Sequence, residues 1–214
     1  EGGADGEALD ALSRRAPQTA RDRGRAVALS DYATLAREAS SAVAWARAIP
    51  TLSASGRTLP GWVTVIVVPH SLAPRPMPSV ALRQQITRFL EARAPAELTA
   101  AGRIQVVGPE YLPIDVSAPI APITASEAGN VERSARAALS AFLHPLYGGP
   151  SGEGWDLGRP VFVSDVAAVL ERVAGLDYTE DLALLVEGVP QAAEVRIAID
   201  RIAVAGTFRL KLKV

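Results

Sequence analysis

The chain has 214 residues, 49% of them hydrophobic and 21% charged, which is typical of a globular protein. Its 22 basic and 23 acidic residues give a net charge of -1, so no excess of basic residues favours nucleic-acid binding. The absence of cysteine excludes disulfide scaffolds, thiolate zinc sites and cysteine nucleophiles, and no apolar run approaches the roughly 20 residues of a membrane-spanning helix.

The first 29 residues are predicted to form a connecting segment. Glu1 begins a Gly-rich stretch that has neither an initiator Met nor the order of a signal peptide, which suggests that the numbering starts inside a longer protein. Residues 7–15 can form a short helix, and residues 21–25 form a basic connector.

Residues 30–117 are predicted to form a first unit. Ser30 is suited to cap a helix, and Asp31 lies in the first turn, where the helix dipole favours an acid. Strands are predicted over residues 42–49 and 62–68, and the second is apolar on both faces, as in the centre of a sheet. There follow a Pro-rich connector, a helix from about residue 79, and extended segments at 104–107 and 111–116.

Residues 118–188 are predicted to form a second unit. A helix is predicted over residues 131–143, with an inner face of Val131, Ala135, Leu139 and Phe142. A Gly-rich loop at 148–158 and a short strand at 160–163 follow it. Ser164 is then suited to cap another helix, which we expect to stop near Gly175. A strand over residues 182–186 closes the unit.

The remaining residues, 189–214, are predicted to form two strands. The first contains Val195, Ile197 and Ile199. In the second, apolar and polar residues alternate, which predicts a half-buried strand with a basic outer face. Its apolar positions are Phe208, Leu210, Leu212 and Val214, and its polar positions are Thr207, Arg209, Lys211 and Lys213.

The predicted order of elements indicates the α+β class. Helices and strands form two consecutive small units, each with helices on a mostly antiparallel sheet, and the chain ends in a pair of strands. We expect a ferredoxin-like arrangement in each half.

The sequence offers no recognisable catalytic, metal or cofactor site. His70 and His144 are the only histidines, and neither has a carboxylate at metal-ligand spacing. The glycines at 152, 154 and 158 are spaced almost as in a dinucleotide fingerprint, but they follow a helix and precede a strand, the reverse of the order that phosphate binding needs. The acids at 177, 180 and 181 are interpreted as a solvated turn. We therefore predict no enzyme, no cofactor and no small-molecule substrate.

One loop is nevertheless a candidate site. Its length, its glycines and its tryptophan suggest either a folded structural plug or a docking surface for another protein. The candidate residues are His144, Gly149, Gly154, Trp155 and Arg159.

Three stretches of the sequence resemble segments of one known protein family. Residues 25–39 (RAVALSDYATLAREA), followed by 43–48 (VAWARA), resemble the segment RAVT-x-x-DYE-x-LA and the strand after it. Residues 142–159 (FLHPLYGGPSGEGWDLGR) are similar to the signature FLHPL-x-GGP-x-G-x-GW-x-x-GR of members from phage-tail-like particles. Residues 163–178 (VSDVAAVLERVAGLDY) resemble the closing helix and strand. Together, these stretches resemble baseplate J-like proteins of contractile injection systems. Two residues, Ala28 and Ala33, depart from the Thr and Glu that are usual there.

The resemblance implies a structural wedge subunit of the baseplate. Such a subunit is expected to contact other wedge subunits, copies of itself, the central hub and spike, and components near the sheath. It would be assembled in the cytoplasm into a phage-tail-like particle, which either stays in the producing cell or is released. Two alternatives from other classes remain open, a tail-associated hydrolase and a stand-alone protein-binding adaptor that uses the edge of its last strand.

Overall fold

The computed structural model describes residues 25–52 and 58–213. The helix predicted over residues 7–15, most of the basic connector and Val214 lie outside the described residues. The contacts divide the chain into two compact units, residues 1–69 with 78–108, and residues 70–77 with 109–214. The four-part division predicted from the sequence stays a prediction, because contact density reports packing and not independent folding.

In the part of the first unit that the structure describes, two longer helices and one short helix pack with a three-stranded sheet. In chain order the elements are α1 (Leu29–Glu38), β1 (Val43–Leu52), β2 (Thr58–Pro69), α2 (Val80–Glu91), α3 (Ala96–Thr99) and β3 (Ile104–Val107). The sheet order is β1-β2-β3, with β1 and β2 antiparallel and β2 and β3 parallel.

The central position of β2 agrees with its sequence. Val65, Ile66, Val67 and Val68 are all at most 2% exposed, so both faces of the strand are covered. Val65 and Val67 lie on one face of β2. They belong to a hydrophobic core that also contains Tyr32 of α1 and residues of α2 and β3. This cluster is the main hydrophobic core of the first unit.

The start of α1 differs from the prediction in its cap. The N-cap residue is Ala28 and not Ser30. Ala28 has no side-chain acceptor, and the Asp31 carboxylate accepts instead from the backbone amides of Val27 at 3.0 Å and Ala28 at 2.7 Å. Asp31 therefore provides the reciprocal half of a capping box, and its charge also lies at the favourable end of the helix dipole.

The second unit contains, in chain order, β4 (Glu110–Pro122), a 3-10 turn (Ala125–Glu127), α4 (Ala128–Phe142), β5 (Val161–Phe162), α5 (Val163–Glu171), β6 (Leu176–Thr179), β7 (Ala183–Val186), β8 (Val189–Pro190), β9 (Glu194–Val195) and β10 (Arg201–Leu212). One sheet has the order β10-β4-β7-β8, with β6 also paired to β4, and β5 and β9 form a separate two-stranded sheet. Strand β4 pairs antiparallel with β6 and β7 and parallel with β10.

The α+β class is confirmed, and the ferredoxin-like expectation holds loosely. Helices alternate with small sheets in which most strand pairs are antiparallel, the parallel pairs being β2–β3 and β4–β10. The buried face of α4 is also as predicted, with Val131, Ala135, Leu139 and Phe142 inward.

Two local predictions in the second unit are wrong. The N-cap of α5 is Phe162, so Ser164 already lies inside the helix. The strand predicted through Val195, Ile197 and Ile199 covers only Glu194–Val195, and it pairs with β5. Ile199 is 59% exposed, in a turn that leads into β10. Val195 and Ile197 are buried, as the alternation suggests, but the strand ends at Val195 and the burial does not extend to Ile199.

The last strand, β10, contains a β-bulge that was not predicted from the sequence. Its pairing with β4 shifts register between Ala205 and Phe208. The Asp115 carboxylate of β4 accepts from the amide of Thr207 at 2.7 Å. A Cβ on Gly206 would lie 2.3 Å from that same carboxylate oxygen, so only glycine leaves room for this contact.

Among the described residues, no helix is both long enough and apolar enough to cross a membrane.

Candidate functional site

The loop that follows α4 is held by its own backbone hydrogen bonds. The amide of Gly149 donates to the carbonyl of Phe142 at 2.7 Å, and the amide of Gly148 donates to that of His144 at 2.9 Å. Further along, the amide of Gly154 returns to the carbonyl of Gly148 at 2.9 Å. The loop therefore folds back on the end of α4, and its polar backbone is largely satisfied from within.

Trp155 lies at the centre of this loop. Its side chain is only 2% exposed, and its Nε1 donates to the carbonyl of Phe142 at 2.8 Å. The ring meets that of Phe142 edge-to-face, with centroids 5.4 Å apart. Its amide also donates to the carbonyl of Pro145 at 2.9 Å. A large side chain with its only polar atom paired fixes the loop to the helix.

Gly149 and Gly154 both need to be glycine, for two reasons. Their φ angles are +78° and +96°, which lie in the region that side chains rarely adopt. A Cβ on Gly149 would lie 2.6 Å from the carbonyl oxygen of Gly154, and one on Gly154 would lie 2.6 Å from that of Pro145. By contrast, Gly152 has a φ of +73° but open space around it.

His144 joins this loop to residues 70–77. Its Nδ1 accepts from the amide of Leu146 at 3.2 Å, which assigns the proton to Nε2. Nε2 then donates to the carbonyl of Ala73, also at 3.2 Å. The ring stacks on Tyr147 at 5.0 Å, and the Tyr147 side chain is 51% exposed. An aromatic surface is thus held in place by a partly buried histidine.

Arg159 closes the loop on the other side. Its guanidinium lies 5.8 Å from the centre of the Trp155 ring, a distance compatible with a cation–π contact. Its neighbour Gly158 donates its amide to the carbonyl of Arg201, the first residue of β10, at 3.0 Å. The five candidate residues therefore belong to one folded segment: Gly149, Gly154 and Trp155 form its interior, and His144 and Arg159 are half-buried at its margins.

Residues 70–77 are held a second time, by Tyr111. Its hydroxyl donates to the carbonyl of Pro76 at 2.6 Å. Burial raises the pKa of Tyr111 well above its ordinary value of 10.0. The sequence placed Tyr111 in a strand, but nothing local in it indicated a partner 35 positions away.

The other groups considered for chemistry lie apart from this loop. His70 is exposed in the bend after β2. The acids at 177, 180 and 181 are exposed, as a solvated turn would be, and Glu180 pairs with Lys213, which raises the pKa of that lysine. Among residues 25–52 and 58–213, no group of three His, Asp or Glu side chains is placed to hold a metal ion.

An open groove of about 420 Å³ lies between α4 and α5 in the second unit. Its lining combines apolar side chains, among them Phe142, Val169 and Val173, with Arg172 and Ser134. Convergent acids and bases, which general acid–base chemistry would need, are not part of this lining.

Comparison with known proteins finds a similar fold but no family match. No protein-family model and no curated protein matches the sequence. The fold is similar to a chain in the cryo-EM structure of the anti-feeding prophage (AFP) baseplate, 6-fold symmetrised, with a TM-score of 0.69 and 18% sequence identity. The match covers 98% of this chain and 43% of that chain, so this chain spans less than half of its length. At this identity the likeness shows a shared fold.

Proposed function

We propose that this chain is a structural, non-enzymatic component of the baseplate of a contractile injection system, and more specifically a J-like wedge subunit. The observation that carries the proposal is the fold shared with a chain of the anti-feeding prophage baseplate, over 98% of the present chain. The resemblance of residues 142–159 to the glycine- and tryptophan-containing signature of such particles supports it independently of that comparison.

The expected partners follow from this role. They are other wedge subunits, copies of the same chain, the hub and spike, and components near the sheath. The particle would assemble in the cytoplasm of the producing cell. Subunits of such assemblies are joined by extended protein–protein interfaces, which often exceed 2,000 Å². Exposed apolar side chains such as Leu72 (87%) and Tyr147 (51%) are suited to this environment.

We assign the loop between α4 and β5 a combined role in this assembly. Trp155, Gly149 and Gly154 keep the loop in one shape, and the half-buried His144 and Arg159 with the exposed Tyr147 present its surface. The two sequence-based alternatives, structural plug and docking surface, then describe the interior and the exterior of the same segment.

Electron microscopy of material that co-purifies with the tagged full-length protein tests the proposal. We expect sheathed tubes or ring-shaped plates that contain the protein. A soluble monomer without such particles, from cells that express the neighbouring genes, would contradict the wedge role and favour a stand-alone adaptor. Cleavage of cell-wall material by the purified protein would instead favour a tail-associated hydrolase.

A further inference from the structure

The outer edge of β10 is open near its end. The sheet order places β10 at the margin, with β4 as its only strand partner among the described residues. The amide of Lys213 donates to the carbonyl of Ile120 in β4 at 2.9 Å. Because successive residues of a strand direct their backbone groups to opposite edges, Leu210 and Leu212 turn theirs away from β4.

Arg136 of α4 independently supports this assignment. Its guanidinium donates to the carbonyl of Phe208 at 2.7 Å, so this carbonyl is bonded by a helix side chain. Phe208 has the same parity as Leu210 and Leu212, so the three residues face the same outer edge. Arg136 closes this edge at Phe208, and no other described residue donates to or accepts from the outer backbone groups of Leu210 and Leu212.

The charges beside this edge are basic. Arg209 and Lys211 are exposed, and no carboxylate of the described part of the chain pairs with either. Lys213 differs from them because it is paired with Glu180. On the opposite face Leu210 is already covered, at 7% exposed, whereas Leu212 is 36% exposed, so an added strand would find apolar contact at Leu212.

We infer that the outer edge of β10, at Leu210 and Leu212, binds an extended acidic segment of another protein by strand addition. Backbone hydrogen bonds to the two leucines would supply affinity. Acidic residues at alternate positions would lie beside Arg209 and Lys211, and apolar residues beside the leucines. A second copy of this edge is disfavoured, because pairing would bring like charges together.

The inference goes beyond the proposed baseplate role and does not depend on it. Its test is the binding of a labelled peptide of alternating Val and Glu residues to the full 214-residue chain, measured by fluorescence anisotropy. A peptide with Lys in place of Glu is the matched control. We expect the Lys peptide to bind about tenfold more weakly or not at all, and added salt to weaken the binding of the Glu peptide.

Two variants locate the binding to this edge. The double variant R209E/K211E should reverse the preference between the two peptides. Leu212→Pro should weaken binding about tenfold, because proline removes an outward N–H while the bonds to β4 stay in place. Its thermal unfolding, followed by circular dichroism, should match that of the wild type. If Leu212→Pro does not fold, the charge-reversal variant still decides the question.

Amide hydrogen exchange identifies the occupant. We expect the amide of Leu212 to exchange freely in the protein alone and to become protected with the Glu peptide. Protection that rises with protein concentration would overturn the inference in favour of self-pairing. Protection in the free protein at every concentration would overturn it in favour of a segment of the same chain. Equal binding of both peptides, or binding unchanged in R209E/K211E, would also overturn it.

Discussion

At the scale of single residues, the loop after α4 depends on a few side chains with particular surroundings. Trp155 is buried with its indole N–H paired, and Gly154 occupies a conformation and a space that no other residue fits. Both were singled out from the sequence, since a glycine-rich loop with one tryptophan is typical of a folded segment. The carbonyl of Phe142, which accepts from the indole N–H of Trp155, could not be predicted, because any nearby backbone carbonyl could accept this bond.

Trp155→Ala should destabilise the protein by about 3–5 kcal/mol, since it removes a buried aromatic side chain and leaves a cavity. Trp155→Phe should cost less, because it retains most of the packing and loses only the bond to the carbonyl of Phe142, which Gly149 continues to satisfy. Urea denaturation measures both effects. Tyr147→Ala is the matched control, being an aromatic truncation at a side chain that is 51% exposed. Equal losses for Trp155→Ala and Tyr147→Ala would contradict the assigned burial.

Gly154→Ala and Gly152→Ala form a second matched pair. Both glycines have positive φ, so alanine at either position should cost about 1–2 kcal/mol in backbone strain. Only at Gly154 does the added Cβ also meet a backbone oxygen, at 2.6 Å, whereas Gly152 has open space. We therefore expect a clearly larger loss of unfolding free energy for Gly154→Ala. Similar losses would show that the loop can adjust around residue 154.

At the scale of elements, segments far apart in sequence are joined by single side chains. Residues 70–77 are held through Tyr111 at the start of β4 and through His144 after α4. In the same unit, Arg136 joins α4 to β10, and Asp115 fixes the bulge at Gly206. Of these four residues, only His144 was a candidate from the sequence. None of the four partners could be predicted, because a polar residue at an element's surface has many possible partners.

Tyr111 also predicts a pH dependence of stability. Because burial raises its pKa above 10.0 in the folded state, the unfolded chain releases this proton first as the pH rises. The stabilising contribution is present below about pH 10 and is lost above it, as the pH rises towards the folded pKa. Tyr111→Phe should lower stability by about 1 kcal/mol at neutral pH, through the lost bond to Pro76.

The decisive measurement is the difference in unfolding free energy between wild type and Tyr111→Phe across this range. This difference in unfolding free energy should become smaller above about pH 10, since only the wild type has the Tyr111 hydroxyl that ionises. Burial, together with Asp31, also raises the pKa of Tyr32 in the first unit, so both proteins should keep some alkaline sensitivity. A difference that stays constant with pH would contradict the assignment to Tyr111.

At the scale of the whole molecule, the proposed baseplate role predicts that some variants affect both folding and assembly, and others assembly alone. Variants that damage the interior of the loop should reduce both, because the surface depends on the fold beneath it. A variant that alters only an exposed side chain should leave the fold intact. Tyr147 offers this distinction, since it is exposed and rests on the ring of His144.

Tyr147→Ala should therefore change stability by less than about 1 kcal/mol and reduce the incorporation of the protein into particles. Quantitative blotting of purified particles, set against the soluble protein, measures the incorporated fraction. Ser151→Ala, at another exposed position of the same loop, is the control and should incorporate normally. Normal incorporation of Tyr147→Ala would remove this side chain from the proposed docking surface.

Four features could be predicted from the sequence: the α+β class, the central position of β2, the buried face of α4 and the alternating pattern at the end of β10. These features are local, because hydrophobic periodicity records which residues are buried within an element. In contrast, nothing in the sequence indicated that β10 pairs parallel with β4, about 90 positions away, or that its register shifts at Gly206. Periodicity does not encode the partner of a buried face. Pairing and register depend on which distant strand fits, and so they are decided by the packing of the whole unit.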